Sequence, residues 1–163
     1  FRKALLWRMG RFNPRFPALS VINDLAVPRD RLGELMAGIR GIARELKLPL
    51  PFYGHAGDAN LHFRPLFRRD DPKLQVRLQR LAREAYGLTT ALGGTISGEH
   101  GLGPLRAPFL GLEWGEEGVD LFSRLKGIFD PAGILNPGAL VPAHPFLDGF
   151  VLPGKKPDSE ACC

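Results

Sequence analysis

His55 and His62 flank Gly57-Asp58-Ala59-Asn60, a run of turn-forming residues between two segments rich in strand formers. That arrangement predicts a β-hairpin. With residues 57 to 60 in the turn, 56 pairs with 61 and 55 with 62, so the two imidazoles oppose each other directly on one face. Directly opposed residues have Cβ atoms roughly 5 Å apart, which lets both rings converge on one ion. Further along, Ser97-Gly98-Glu99-His100-Gly101 offers an anionic third ligand in Glu99, leaving positions open for water or substrate. A single strand histidine is more often a hydrogen-bonded or surface residue than a ligand. Opposed histidines followed by a glycine-flanked Glu-His pair point instead to a metal-assisted site.

The rest of the chain supplies the framework. Residues 19–27 alternate Val21, Leu25 and Val27 with polar neighbours and stop at Pro28, as a strand would. Leu32, Leu35, Met36, Ile39, Ile42, Ala43 and Leu46 recur at helical spacing before Pro49. The hairpin strands span about 50 to 56 and 60 to 67. Phe52, Ala56, Leu61 and Phe63 take one face, and Tyr53, His55, His62 and Arg64 the other. Asp71 reads as an N-cap with Pro72 at the first helical position, and Leu74, Leu78, Leu81, Ala82, Ala85 and Leu88 form the next apolar stripe. Gly93-Gly94 ends that helix, and Thr95-Ile96-Ser97 reads as a last strand.

This order is βαββαβ, an α+β class with a ferredoxin-like antiparallel sheet, both helices on the apolar face, and a C-terminal helical extension at about 116 to 129. The expected divisions are 1–104 for the ferredoxin-like portion, 105–142 for the helical segment, and 143–163 for a proline-rich tail or linker. The opening at Phe1 lacks a helix cap and suggests a cut from a longer chain. In a minimal sheet of this kind the hairpin and the end of the last strand lie at opposite edges, so Glu99 must reach back.

Composition narrows the function classes. A chain of 163 residues with 44% hydrophobic and 24% charged residues can build one ordinary core. Apolar stretches are broken well short of the ~20 residues that cross a bilayer, so no transmembrane segment is expected. The net charge of +5 is mostly arginine, and Arg77, Arg80 and Arg83 fit a solvated helix face. Without an RNP-like or Gly-rich RNA motif, no nucleic-acid partner is expected; an anionic small substrate suits the charge equally well. Cysteines occur only at Cys162 and Cys163, so a reducing, cytoplasmic setting is the default, with peripheral membrane association left open. Gly98, Gly101 and Gly103 follow a short strand, but their spacing is inverted for a dinucleotide loop and Pro104 opposes a helix start. Two other readings stand beside the metal site: a self-contained metallohydrolase with His100 as proton shuttle, and a noncatalytic ferredoxin-like binding module.

Three strings resemble the C-terminal portion of FAD-linked 2-hydroxyacid dehydrogenases of the D-lactate dehydrogenase and glycolate oxidase type. They are Gly54-His55-Ala56-Gly57-Asp58-Ala59-Asn60-Leu61-His62, Gly94-Thr95-Ile96-Ser97-Gly98-Glu99-His100-Gly101, and Phe129-Asp130-Pro131-Ala132-Gly133-Ile134-Leu135-Asn136-Pro137-Gly138. The resemblance implies that FAD is bound mainly by a preceding flavin domain or subunit and that this portion caps the substrate. It also implies that residues 105–142 return to the flavin domain. By the same resemblance His55, His62 and Glu99 fall at divalent-metal positions, with Zn, Mn or Fe(II) all compatible, and His100 falls at the catalytic base. The implied substrate is a small D-2-hydroxy acid, oxidised to the 2-oxo acid with hydride transfer to flavin.

Arginine grips a carboxylate bidentately, which makes Arg11 and Arg64 candidate substrate clamps. Arg11 resembles the arginine that follows a tryptophan in this family, one residue further from Trp7 than usual. Asn136 is implied to touch the flavin. Asp58 and Asn60 are explained as well by turn chemistry as by catalysis. Ala59 stands where the family usually has glycine, so the turn is expected to avoid a strongly positive φ there. Ala139 replaces a frequent lysine, and Ile22 lies where some relatives carry one.

Overall fold

A computed structural model describes residues 20–68 and 70–147. It is α+β, with a three-stranded antiparallel sheet: β1 (Leu25–Ala26), β2 (Phe52–His55) and β3 (Asn60–Phe63), in the order β1-β3-β2. The main helices are α1 (Leu32–Glu45) and α2 (Leu74–Ala91), followed by a short α3 (Gly103–Arg106) and a long α4 (Leu110–Phe129). Leu35, Ile39 and Ala43 of α1 and Leu78, Leu81, Ala82 and Ala85 of α2 are buried, as are Leu25, Leu61 and Phe63 of the sheet. The helical stripes predicted from spacing are therefore the core. Burying each large aliphatic side chain of this kind contributes on the order of 1.5–3 kcal/mol.

The hairpin forms, but two residues out of the expected register. His55 pairs with Asn60 and Tyr53 with His62, not His55 with His62. The cause is the turn: Ala56–Asp58 make a 3-10 turn and Ala59 closes it in the left-handed region at φ 49°. Ala59 thus does adopt the positive φ that its lack of glycine argued against. Its full burial and its N–H bond to the Ala56 carbonyl (3.2 Å) hold it there, at a cost of roughly 1 kcal/mol or more. Because side chains alternate with period two, a two-residue slip leaves His55 and His62 on the same face. Past the strands the same register continues, with the Arg64 and Leu66 N–H groups donating to the carbonyls of Pro51 and Pro49.

Three other boundaries differ from expectation. The first strand is confined to Leu25–Ala26, shorter than the expected strand, because Asp24 sits at φ 70°, which an extended strand does not allow. The expected last strand at 95–97 is a single antiparallel bridge, Ala26 to Thr95, with N···O distances of 3.1 and 2.8 Å. Helix α2 begins at Leu74, with Asp71 accepting the Lys73 N–H at 2.9 Å and so capping the turn before it. Its C-terminus is as predicted: Gly93 takes φ 73° and the Gly94 N–H reaches back to Thr89. Arg77 is not a freely solvated helix-face residue. It pairs with Asp71 and donates to the carbonyls of Leu46 and Lys47, tying α2 to the end of α1. The predicted helix at 116–129 forms the larger part of α4, which kinks at Gly115 (φ 65°). Residues 1–19 and 148–163, including Arg11 and most of the expected tail, lie outside the described residues. Among the described residues no helix is long and apolar enough to cross a membrane.

Candidate metal and proton-transfer site

The site is assembled from the hairpin and from the segment after Thr95. His62 projects from β3 and is 1% exposed; its ring lies 5.6 Å from that of His55 in an edge-on arrangement and 4.9 Å from that of His100, stacked at 7°. Glu99 enters between them. Its Oε1 is 3.2 Å from His55 Nε2, 3.0 Å from His62 Nε2 and 3.2 Å from His100 Nε2. The structure therefore brings together all four residues expected here, and Glu99 does reach the hairpin.

The reach depends on Asp24, which the sequence reading did not single out. Fully buried beneath the 97–101 segment, its carboxylate accepts the backbone N–H of Glu99 (3.0 Å to each oxygen) and of His100 (2.8 Å). It also accepts the Ser97 hydroxyl (3.2 Å) and the Asn60 side-chain amide (3.1 Å), and pairs with Arg106 at 3.3 Å. Burial pushes the Asp24 pKa up, but the His100 and Glu99 amides and the Asn60 amide outweigh it, so the group is held below its ordinary value. Arg106 gathers the opposite charge: it donates to the carbonyls of Asn23 (3.0 Å), Ile96 (3.2 Å), Leu102 (3.1 Å) and Gly101. Asn60 is accordingly a link to Asp24 and to the Leu25 carbonyl, beyond any role in the turn. Gly98 makes the crossing possible, since a Cβ there would lie 2.5 Å from the Asn60 amide nitrogen. A signal was present in the sequence: an Asn-Asp pair interrupting an otherwise apolar run before Pro28.

The electrostatics favour a cation. Burial is the largest cause lowering the His62 pKa, with the neighbouring His100 adding to it, so the ring is biased toward its neutral, ligand-competent form. Glu99 is raised by desolvation but held down overall by His55, His100 and His62, and stays anionic. Both ring nitrogens of His62 are buried without a hydrogen-bond partner; Glu99 Oε1 touches Nε2 at 3.0 Å but outside hydrogen-bonding geometry. Such an orphaned imidazole nitrogen beside a carboxylate fits a divalent metal. Ligand atoms of Asp24, His62, Glu99 and His100 all lie within 4.8 Å of one another. Asp24 is nonetheless a poor ligand, because its oxygens are already occupied by N–H and O–H donors. His55, joined through Glu99, is chemically the better member of the set.

Arg64 is half-buried on the same strand face as His62, its Nη2 2.9 Å from the Tyr53 hydroxyl and its guanidinium 5.7 Å from the Tyr53 ring centre. Its buried Nε has no partner. Asn136 lies elsewhere, at φ 49° in the turn after α4, lining an apolar groove with Phe122, Leu125, Phe129 and Val141. Asp130 shapes that turn by accepting the N–H groups of Ile134 and Leu135, each at 2.9 Å.

Comparison with known proteins identifies the class. The chain belongs to the family described as FAD linked oxidases, C-terminal domain, which it matches over residues 1–140. It is 35% identical over 141 residues to the glycolate oxidase subunit GlcD of Bacillus subtilis, covering 85% of this chain and 29% of that protein. It is 32% identical over 143 residues to the mitochondrial D-lactate dehydrogenase [cytochrome] of Arabidopsis thaliana, covering 88% of this chain and 25% of the relative. Against the mitochondrial D-2-hydroxyglutarate dehydrogenase of Bos taurus the identity is 36% over 121 residues, or 74% and 22% of the two chains. The chain thus spans less than a third of the length of these curated relatives.

Proposed function

We propose that this chain is the substrate-capping, proton-accepting part of an FAD-dependent oxidoreductase that converts a small D-2-hydroxy acid of the lactate or glycolate type to the 2-oxo acid. The observation that carries the reading is the convergence of His55, His62 and His100 on one oxygen of Glu99, at 3.2, 3.0 and 3.2 Å. In this reading His55, His62 and Glu99 hold the divalent cation, and the flavin is bound mainly by the remainder of the protein. When bound, the cation supplies Lewis-acid polarisation of the α-hydroxyl, and the flavin supplies the hydride acceptor.

The chain's own residues then do the following work. His100 Nε2 takes the hydroxyl proton, the general-base role that an imidazole ring nitrogen can fill. His62, neutral and buried, offers a lone pair without first losing a proton. Arg64, held at the rim by Tyr53, is a candidate clamp for the substrate carboxylate, and Arg11 a second. Asn136 and the groove beside α4 belong to the segment at 105–142 that packs toward the flavin portion. Residues 1–104 supply the cap, read as ferredoxin-like with the Thr95 bridge in place of a full fourth strand, and 143–163 the tail.

The test uses the protein carrying this chain together with its flavin-binding portion. Anaerobic mixing with D-lactate or glycolate should bleach the flavin. His100→Ala should slow that step by about 10²–10⁴-fold, the usual contribution of a general base. Bleaching at the wild-type rate in His100→Ala would remove the assignment.

A further inference from the structure

Ile96 stands where the chain leaves the sheet for the Glu99-His100 loop, one residue beyond the bridge from Thr95 to Ala26. It is fully buried, and side chains rather than the sheet satisfy both of its backbone polar groups. The carbonyl accepts Arg106 Nη1 at 3.2 Å, and the N–H donates to Glu113 Oε2 at 3.0 Å. Arg106 belongs to the Asp24 network described above. Glu113 does not. It comes from the first turn of α4, and among the described residues its bond to Ile96 is the one hydrogen bond that joins α4 to residues 95–101.

That first turn is anchored in the core. Phe109 and Leu110, at its start, are both buried, and the Phe109 ring packs 4.8 Å from that of Tyr86 on α2. Tyr86 is fully buried in turn, its hydroxyl donating to the Val21 carbonyl at 2.6 Å. The kink at Gly115 then separates this anchored turn from the remainder of α4, whose Leu121, Leu125, Ile128 and Phe129 are exposed. Glu113 thus reaches Ile96 from a fixed base. A buried N–H left without an acceptor is costly, so losing the Glu113 oxygen would drive Ile96 to shift toward another partner. Glu99 lies only three residues on, with Oε1 at 3.0 to 3.2 Å from three imidazole nitrogens. A displacement of about 1 Å carried along so short a segment would spoil that convergence.

We propose that Glu113 is a positioning residue: by holding the Ile96 N–H it sets where the loop leaves the sheet, and so where Glu99 and His100 stand against His62. The role belongs to the acceptor oxygen and the length of the side chain, not to its charge. This inference rests on the proposed reading of Glu99 as a metal ligand and His100 as the base.

The test combines amide hydrogen exchange of the metal-free full chain with Zn²⁺ titration of the same folded protein, in Glu113→Ala, Glu113→Asp and Glu113→Gln. Gln keeps an acceptor oxygen at the same reach, whereas Asp keeps the charge and is one methylene short. The Ala and Asp variants should raise exchange at Ile96 and across 97–101 roughly tenfold while the β2–β3 amides keep their wild-type rates. Both should weaken Zn²⁺ binding about tenfold, and the Gln variant should match wild type in both measurements. Unchanged exchange at 96–101 in Ala and Asp would overturn the inference. Exchange that rises equally at the β2–β3 amides would reduce Glu113 to a general stabiliser and overturn it too. So would a Gln variant as impaired as Ala beside an Asp variant that matches wild type, the signature of charge. A local rise in exchange with Zn²⁺ affinity unchanged would remove the role at the site while leaving the ligand assignment intact. If the wild-type chain takes up no Zn²⁺, the ligand assignment fails by itself, and the exchange pattern alone decides whether Glu113 sets the loop.

Discussion

The two segments that meet at Glu99 are secured in opposite ways. The hairpin carrying His55 and His62 is a backbone structure, held by β2–β3 pairing that continues through Pro51 and Pro49. The 97–101 segment carrying Glu99 and His100 is joined to the sheet by the one bridge at Thr95, and beyond it mainly by the side chains of Asp24 and Arg106. A hairpin tolerates change of side chain provided its backbone can close. The loop instead depends on the identity of a few buried polar atoms. Substitutions should separate the two.

The largest effect is expected at Asp24. Asp24→Asn would turn an amide donor toward the N–H groups of Glu99 and His100 and leave Arg106 without its buried partner. Urea unfolding should show a loss of about 3 kcal/mol or more. Hydrogen exchange should rise at residues 97–101 while the β2–β3 amides stay protected. The same carboxylate sets an acid limit. Its folded pKa is depressed, so its contribution is fully present above the ordinary value of 3.8 and is lost as pH falls through the folded value. The Asp24→Asn variant should lack that component of the acid transition.

Gly54→Ala tests the hairpin side. A Cβ at Gly54 would lie 2.2 Å from the Asn60 carbonyl oxygen, which is backbone and has little room to move. The expected loss is roughly 1–3 kcal/mol, with β2–β3 amides deprotected. At Gly98 the clashing atom is the end of a side chain, so Gly98→Ala should cost less in stability and act mainly on the 97–101 segment. His62 adds a smaller pH effect. Its folded pKa is depressed below 6.5, so the unfolded chain binds the extra proton and stability declines as pH falls below 6.5, levelling off once the folded ring also titrates. Smallest of all, Ala59→Gly relieves the left-handed alanine at φ 49° and should stabilise by up to about 1 kcal/mol, read as a rise in the urea midpoint.

The same contrast explains what was legible in the sequence. Periodicity located α1, α2 and the hairpin, and the parity of β2 and β3 put Tyr53, His55, His62 and Arg64 on one face even though the register was out by two residues. Parity survives an even slip; pairing does not. The exact turn hinged on Ala59 accepting a conformation its type disfavours, a choice decided by burial in the completed fold. The Asn23-Asp24 pair stood out against its apolar run, but its partners and that of Arg106 could not be read, because they lie about 70 to 80 residues away and follow no local period. The expected final strand failed for a related reason: glycine at 98 suits a crossing over Asn60 better than a ladder.

The account stands or falls on whether the histidine cluster holds a cation. Isothermal titration of the folded full chain with Zn²⁺ at neutral pH should give one ion per chain, with affinity falling at least about tenfold in His62→Ala and in Glu99→Gln. No uptake by folded protein, or uptake that both substitutions leave unchanged, would contradict it.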